Sequence, residues 1–288
     1  MSHVYDAKDF ISYNEFKEVS INYLFRIKPV NKRLRYYYLL FKVLLFNKDN
    51  EYTKVINLFK KLYNENILVE IDGVKFSPSP YIIDWAHEVF IGVLEPNTYN
   101  YFNNTRGNLF VNVGANLGGY SLRAGKKYSK VIAIEANPHI AEELRKNVEL
   151  NRFFNIEVLN LAIWKSKDKV KLYKSIDDNN LVSSLTPYRM KEYEYRDYFE
   201  VEADTLDNVL VNYDRIDLIL IDAEGSEVEV LEGSVNTLEK TRNVIVEVKP
   251  GITDEKVITI LKNNGFSVSF LDKEKYYANV LGKKEKNI

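Results

Sequence analysis

The chain contains no cysteine among its 288 residues. This absence excludes disulfide bonds, thiolate metal sites and cysteine nucleophiles, and it fits a cytoplasmic protein. Long apolar runs are also absent, since the nearest one, Tyr36 to Phe46, is short and is interrupted by Lys42. We therefore expect no membrane span. The first residues show no basic segment followed by an apolar one, so we expect no signal peptide.

Net charge is nearly absent as well. The formal charge is -1 at pH 7, so the whole chain has no bias towards polyanions. The charge is uneven, however, because residues 1–65 carry 12 Lys and Arg against 7 Asp and Glu. The length suits one large α/β core with a smaller appendage.

The most informative segment is an apolar strand, a glycine-rich turn and the start of a helix, from Leu109 to Tyr120. Gly114 would allow the tight turn, and Gly118 would let a ligand approach the backbone closely. Free N–H groups at the start of the helix would favour an anion. A second apolar strand ends in Glu135, where an acid accepts hydrogen bonds from a ribose diol. The pattern predicts a nucleoside site.

Asn116 stands where the turns that bind dinucleotides carry a glycine. Its side chain occupies room that a pyrophosphate would need, so a smaller anion such as an amino-acid carboxylate matches better. Adenosine joined to an amino acid, as in S-adenosylmethionine, satisfies both this turn and Glu135.

Apolar periodicity predicts an alternation of strands and helices after residue 105. Continuous apolar runs favour a parallel sheet covered on both faces. The expected strands are 109–113, 131–135, 155–160, 216–221, 243–248 and 266–271. A final strand at 275–281 would pair with its predecessor as an antiparallel hairpin. A polar, Tyr-rich insertion at 176–200 interrupts this rhythm.

The first 105 residues predict a separate, mainly helical region. Residues 1 to about 65 carry helical periodicity, and residues 84–102 are helical at first and irregular later. Asp72-Gly73 lies between two β-type runs and predicts a hairpin over 67–76 with a type I′ turn. The expected division is thus 1–105 for this region and 106–288 for the nucleoside-binding domain.

A group of acids follows the strand at 216–221. Asp222 and Glu224 would lie at the ligand edge of the sheet, where carboxylates can orient an acceptor hydroxyl, remove its proton or bind a divalent ion. We interpret both as catalytic, with Glu247 at the end of the next strand in reserve. Glu227 begins a helix, where an acid favours the helix dipole. We assign no metal ligands.

Other polar residues carry weaker signals. His139 is expected to be exposed in the first turn of a helix, and His87 either faces the cleft or lies on the surface. The insertion offers Ser183, Ser184, Tyr188 and Arg189 as acceptor-binding candidates. The alternative for that insertion is a mobile polar loop.

Five segments together resemble the FkbM-type methyltransferases, in the same order and spacing from about residue 85 to 250. They are Val111–Gly118, Ile134–Pro138, Asn147–Asn151, Thr205–Asp207 and Ile221–Gly233. The resemblance implies a class I, Rossmann-like fold: a mostly parallel seven-stranded sheet with helices on both faces. It also implies S-adenosylmethionine as donor and O-methylation of a sugar or natural-product hydroxyl.

The same resemblance assigns residues to the donor. Its methionine and ribose parts would be held by Asn112, Gly114, Ala115, Asn116, Gly118, Glu135 and Ala136, with Asp222 beside them. Asn160 and Ala162 would flank the adenine. Two positions depart from the family pattern, which usually has Asp in place of Asn112 and Lys in place of Leu220.

Three functions remain open at this point. The first is O-methylation of a glycan or a small hydroxylated metabolite. The second is RNA methylation, with phosphates and bases contacted by the basic N-terminal region and Tyr36-Tyr37-Tyr38. Against it stands the neutral chain, so nucleic acid is the less expected partner. The third is a non-catalytic binding module.

Overall fold

The structure is a computed structural model that describes residues 26–46, 51–175, 183–189 and 195–284. The helices are α1 (Arg33–Phe46), α2 (Glu51–Asn64), α3 (Ile82–Leu94), α4 (Pro96–Asn103), α5 (Gly119–Ala124), α6 (Pro138–Asn151), α7 (Leu206–Val209), α8 (Glu227–Glu232), α9 (Val235–Glu239) and α10 (Asp254–Asn263). The helicity predicted for 1–25 lies outside the described residues.

The strands begin in the N-terminal region and continue to the end of the described chain. They are β1 (Lys28–Pro29), β2 (Val69–Ile71), β3 (Val74–Phe76), β4 (Gly107–Val113), β5 (Tyr128–Glu135), β6 (Ile156–Asn160), β7 (Ala162–Ile163), β8 (Asp168–Ser175), β9 (Ser183–Ser184), β10 (Tyr195–Asp204), β11 (Leu218–Ile221), β12 (Asn243–Val248), β13 (Ser267–Lys273) and β14 (Ala278–Lys283).

Seven strands form the main sheet in the order β13-β14-β12-β11-β4-β5-β6. Strands β6, β5, β4, β11 and β12 are parallel, and β14 runs antiparallel to both of its neighbours. The mostly parallel sheet and the final antiparallel hairpin are therefore confirmed. Chain order reverses between β4 and β11, and ligands bind at the carboxyl ends of strands beside such a reversal.

The bounds of the last strand differ from those predicted. Residues 275–277 belong to the hairpin turn, in which the Glu274 N–H donates to the Tyr277 carbonyl over 2.9 Å. Strand β14 consequently begins at Ala278 and ends at Lys283. Aromatic residues favour strands, and here the tight turn overrides that preference.

Alternating residues of each central strand pack against different layers of helices. In β11, Leu218 and Leu220 belong to one hydrophobic cluster, whereas Ile219 and Ile221 belong to the other. Helices α3, α5 and α6 contribute to the first cluster, and α7 to α10 contribute to the second. The sheet thus has helices on both faces, as predicted.

The N-terminal helices share the first of these clusters with the sheet. Phe59 of α2 packs edge-to-face on Trp85 of α3, with ring centroids 4.7 Å apart. Both rings are fully buried in the cluster that includes Phe110 of β4 and Leu220 of β11. Helix α3 is therefore built into the sheet's hydrophobic core, across the boundary expected near residue 105.

The predicted hairpin at 67–76 is confirmed and has a further strand. Asp72 and Gly73 have φ values of 53° and 72°, and a type I′ turn requires positive φ at both central residues. The Asp72 carboxylate accepts hydrogen bonds from the Tyr99 hydroxyl at 2.6 Å and from Arg123 at 3.4 Å. Strand β1 adds to β2 on the outer side.

A second sheet, with the order β7-β10-β8-β9, occupies the region of the predicted insertion. Its main part is a long antiparallel pair in which Tyr173 of β8 lies opposite Tyr198 of β10. The interpretation of 176–200 as a polar loop is thus wrong for 183–184 and 195–200, which are strands. Residues 176–182 and 190–194 lie outside the described residues.

Candidate active site

A cleft lies at the carboxyl ends of β4, β5 and β11. Its empty volume is about 730 Å³, including space that is open to solvent. Most of the predicted site residues line it, namely Gly114, Asn116, Glu135, Ala136, Ala162, Asp222 and Glu224. Residues that are distant in sequence are brought together there.

Gly114 directly follows β4 and lies against the backbone of Asp222 at the end of β11. Its φ is 76°, and a Cβ at this position would overlap the backbone carbonyl of Asp222. The tight turn predicted for Gly114 is therefore confirmed, and its cause is the close approach of two strands. Asn116 is also left-handed, with φ of 46°, a conformation that asparagine tolerates better than most residues.

Gly118 has a packing role that the sequence did not predict, and the ligand approach expected there stays a prediction. Gly118 has φ of 102°, and a Cβ there would lie 2.7 Å from Leu144 and 3.0 Å from Leu122. This glycine is needed because helices α5 and α6 pack closely around the turn. The sequence motif could not separate this reason from a ligand contact.

The backbone N–H groups of the turn itself are all used within the protein. Every backbone N–H from Gly114 to Gly119 donates to an acceptor within the protein. The Gly119 N–H, at the start of α5, donates to the carboxylate of Glu88. Burial raises the pKa of Glu88 to about 8. The first N–H group of α5 is thus bound by a side chain of the protein itself.

Glu135 is fixed by the backbone around it. One carboxylate oxygen accepts from the Asn116 N–H at 2.9 Å, and the other accepts from the Asn137 N–H at 2.8 Å. Burial raises the pKa of Glu135 to about 7, and the nearby Asp84 raises it further. The carboxylate is therefore held in one orientation on the cleft wall, with its protonation sensitive to pH near neutrality.

An apolar wall continues from Glu135 along the cleft. Ala162 lies on this wall, together with Leu161, Ile163 and Leu172. Asn160, predicted beside Ala162, instead donates from its amide nitrogen to the carbonyls of Glu135 and Ala136 at 2.9 and 3.0 Å. Its side chain holds the end of β5. This contact could not be predicted from the position of Asn160 at the end of a strand.

The three predicted catalytic acids meet at the ends of β11 and β12. Carboxylate oxygens of Asp222, Glu224 and Glu247 all lie within 4.8 Å of one another. This spacing would admit a cation, and the protein supplies one, since the Lys249 ammonium lies 3.4 Å from Glu224 and 3.1 Å from Glu247. We call Asp222, Glu224 and Glu247 the strand-end acids.

Burial and mutual repulsion shift the ionisation of this group. Burial raises the pKa of Asp222 well above its usual range, and Glu247 and Glu224 raise it further. Burial also raises the pKa of Glu224, against the effect of Lys249. Both carboxyls can therefore exchange a proton nearer to neutral pH than an ordinary carboxyl.

The chain matches the family described as "Methyltransferase FkbM domain" over residues 112–268. This match covers more than half of the chain. The chain belongs to the FkbM methyltransferase family. The resemblance drawn from the five sequence segments is confirmed, and the protein is a methyltransferase of class I fold.

Similar proteins carry related names. The chain is 26% identical to "Methyltransferase sdnD" of Sordaria araneosa over 235 residues, 70% of this chain and 89% of that protein. It is 25% identical to "Methyltransferase 1" of Beauveria bassiana, over 55% of this chain and 72% of that one. A crystal structure of an FkbM methyltransferase from Methylobacillus flagellatus aligns with a TM-score of 0.44 and 15% identity, covering 78% of this chain and 57% of that chain.

The two departures from the usual FkbM pattern are direct neighbours. Asn112 of β4 lies opposite Leu220 of β11 in the sheet register. Asn112 and Leu220, where the resemblance implies Asp and Lys, therefore lie side by side in the sheet, and neither carries a charge. Asn112 donates to the Ser121 hydroxyl at 3.0 Å, beneath the turn.

The segment 183–189 packs over the FkbM motif at 222–229. Arg189 forms a two-pronged ion pair with Glu229 at 2.7 and 2.8 Å, and the Ser184 hydroxyl donates to the Glu224 carbonyl at 2.7 Å. These contacts hold the motif, so the acceptor role predicted for both side chains loses its basis. Ser183 lines the cleft, and Tyr188 is 66% exposed.

Both histidines can now be placed. His139 is exposed, as predicted, and its ring lies 5.3 Å from that of Phe199. His87 of α3 lies near Glu224, and burial lowers its pKa to about 4. Of the two positions left open for His87, the structure supports the cleft side.

Sequence reasoning missed three charged residues of this region. Asp84 and Glu88, four residues apart on one face of α3, contact the FkbM glycine turn at Asn116 and Gly119. Their spacing was the available signal. Lys249 follows Glu247 by two residues, so both side chains point to the same side of the chain at the end of β12.

Among the described residues, no helix combines the length and the hydropathy of a membrane span.

Proposed function

We propose that this chain is an S-adenosylmethionine-dependent methyltransferase that acts on a hydroxyl of a sugar, a glycan or a small metabolite. One observation carries the proposal. Glu135, the residue expected at the donor's ribose, lines the same cleft as Asp222 and Glu224, which can serve the acceptor. A nucleoside and a second substrate can therefore meet there.

The residues of the cleft fit this donor. Ala162, Ile163 and Leu172 provide an apolar wall for an adenine ring, and Glu135 provides a hydrogen-bond acceptor for a ribose. Asp222 and Glu224, at the other side, suit the positive charge of a sulfonium. When bound, S-adenosylmethionine supplies a methyl group on a cationic sulfur.

The strand-end acids can then receive the acceptor's proton. Asp222 Oδ1 and Glu224 Oε2 both lack a hydrogen-bond partner in the protein, but Glu224 and Glu247 form ion pairs with Lys249. We therefore assign Asp222 as the general base and the other two as residues that tune it. Holding the acceptor oxygen in line with the methyl group accounts for a further part of the catalysis, up to about 7–11 kcal/mol.

The direct test measures release of S-adenosylhomocysteine from S-adenosylmethionine with two sets of acceptors. We expect turnover with a panel of sugars and hydroxylated metabolites, and none with transfer RNA. Turnover with RNA alone would contradict the proposal, as would failure to bind S-adenosylmethionine in calorimetry. The carboxylates that line the cleft disfavour RNA. Of the three tyrosines considered for base stacking, Tyr36 is fully buried, whereas Tyr37 and Tyr38 are exposed.

The base assignment predicts a pH dependence. A base works only when ionised, and burial holds the pKa of Asp222 above its usual range. The acidic limb of the activity profile should therefore lie well above about pH 4, the value that is typical of an aspartate. The measurement is kcat/KM against pH at saturating donor.

Lys249 provides the matched comparison. Its ammonium lowers the pKa of Asp222 and Glu224, so Lys249→Met should move the acidic limb of the profile to higher pH. Lys249→Arg keeps the charge and should leave the limb nearly in place. If the acidic limb of the pH profile lies at the same pH in Lys249→Met and in the original chain, the strand-end acids do not supply the base.

A further inference from the structure

Asp84 is an acid of helix α3 that reaches a cleft built mainly by the sheet. It is 8% exposed and lines the cleft beside Gly114, Asn116 and Glu135. The Asn116 amide nitrogen lies 3.4 Å from its carboxylate. Asp84 therefore lies beside the glycine turn, the part of the cleft expected to hold the methionine part of the donor.

The charge of the cleft has one sign. Four carboxylates line it, those of Asp84, Glu135, Asp222 and Glu224, and no lysine or arginine of the described ranges does so. A lining of one charge attracts ligand groups of the opposite charge and repels groups of the same charge. The methionine part of the donor has one group of each kind, an α-ammonium and an α-carboxylate.

The backbone offers nothing to the α-carboxylate at this turn. All N–H groups from Gly114 to Gly119 already donate within the protein, and the one at Gly119 is bound by Glu88. A ligand carboxylate that bound the turn itself would have to displace one of these acceptors. An ammonium carries three hydrogen-bond donors and no acceptor, so it needs only acceptor atoms from the protein.

We propose that Asp84 binds the α-ammonium of the donor, so that the cleft recognises the methionine end through its positive charge. This assignment rests on the proposed function, and it replaces the carboxylate recognition that the sequence predicted for the turn. The adenine then lies against Ala162, the ribose at Glu135 and the ammonium at Asp84.

The test compares four ligands by calorimetry on the unmodified chain. They are S-adenosylhomocysteine, its analogue without the α-carboxylate, its analogue without the α-ammonium, and 5′-methylthioadenosine, which lacks both. Loss of the ammonium should weaken binding about tenfold or more, as expected for a charge-assisted hydrogen bond. Loss of the carboxylate should weaken it by less than about threefold. The reverse order would overturn the proposal.

Asp84→Asn should weaken the two ligands that carry the ammonium about tenfold and leave the other two unchanged. Glu88→Gln is the matched control, because Glu88 lies on the same helix but binds Gly119. Any effect of that variant should be equal for all four ligands. An equal loss for all four in Asp84→Asn would overturn the assignment while leaving the nucleoside site intact. Failure of 5′-methylthioadenosine to bind the unmodified chain would instead contradict the proposed function.

Discussion

Replacing Asp222 by asparagine should lower kcat by about 10²–10⁴, the usual contribution of a general base. Asparagine keeps the size of the side chain but cannot take a proton from the acceptor hydroxyl. Asp222 lines the cleft, and its Oδ1 has no partner in the protein. The folded structure should therefore tolerate the change. The measurement is single-turnover methyl transfer at saturating donor and acceptor.

Two further measurements make this result specific to catalysis. The affinity for S-adenosylhomocysteine should change by less than about threefold, since its sulfur carries no charge. Asp214→Asn, at an exposed position away from the cleft, should leave both kcat and affinity unchanged. A kcat for Asp222→Asn within about tenfold of the original would move the base role to Glu224 or another group.

Gly114→Ala should destabilise the protein by about 3–5 kcal/mol and abolish activity at the same time. About 1–2 kcal/mol comes from placing alanine in a left-handed conformation, because the φ of Gly114 is 76°. The rest comes from the overlap of the new methyl group with the Asp222 carbonyl, which no side-chain rotation can relieve. Relief requires β4 and β11 to separate where the cleft forms. Chemical denaturation and methyl-transfer assays measure the two effects.

Gly265→Ala is the matched control for this substitution. Gly265 has φ of 80°, and a Cβ there would meet nothing within 4 Å. It should therefore show only the conformational cost of about 1–2 kcal/mol and keep full activity. Equal destabilisation of the two variants would mean that the contact between Gly114 and Asp222 is unimportant.

Local sequence patterns predicted the elements of this fold well where a residue type is required for a single physical reason. Asp72-Gly73 predicted its turn because few other residues adopt positive φ twice in succession. Gly114 and the strand-end acids were found for a similar reason, since their positions follow from where strands end. The same reasoning could not decide the role of Gly118, because close helix packing and a ligand contact require glycine equally.

The remainder of the site depends on pairings across long stretches of sequence. Glu88 meets Gly119 only because α3 packs on α5, and Asp84 reaches Asn116 for the same reason. The only sequence signal for either contact is the spacing of the two acids on one helix face. The proposal that this region binds the donor's ammonium, where the sequence predicted its carboxylate, therefore required the tertiary structure.

The order of the strands in the main sheet determines which of them can pair early during synthesis. Strand β14 lies between β12 and β13, so β13 has no neighbour in the main sheet until residues 278–283 have left the ribosome. Strand β12, which ends beside Glu247 and Lys249, keeps an open edge until the same moment. The growing chain therefore carries two unpaired strand edges, one of them beside Glu247, until its last described strand is inserted.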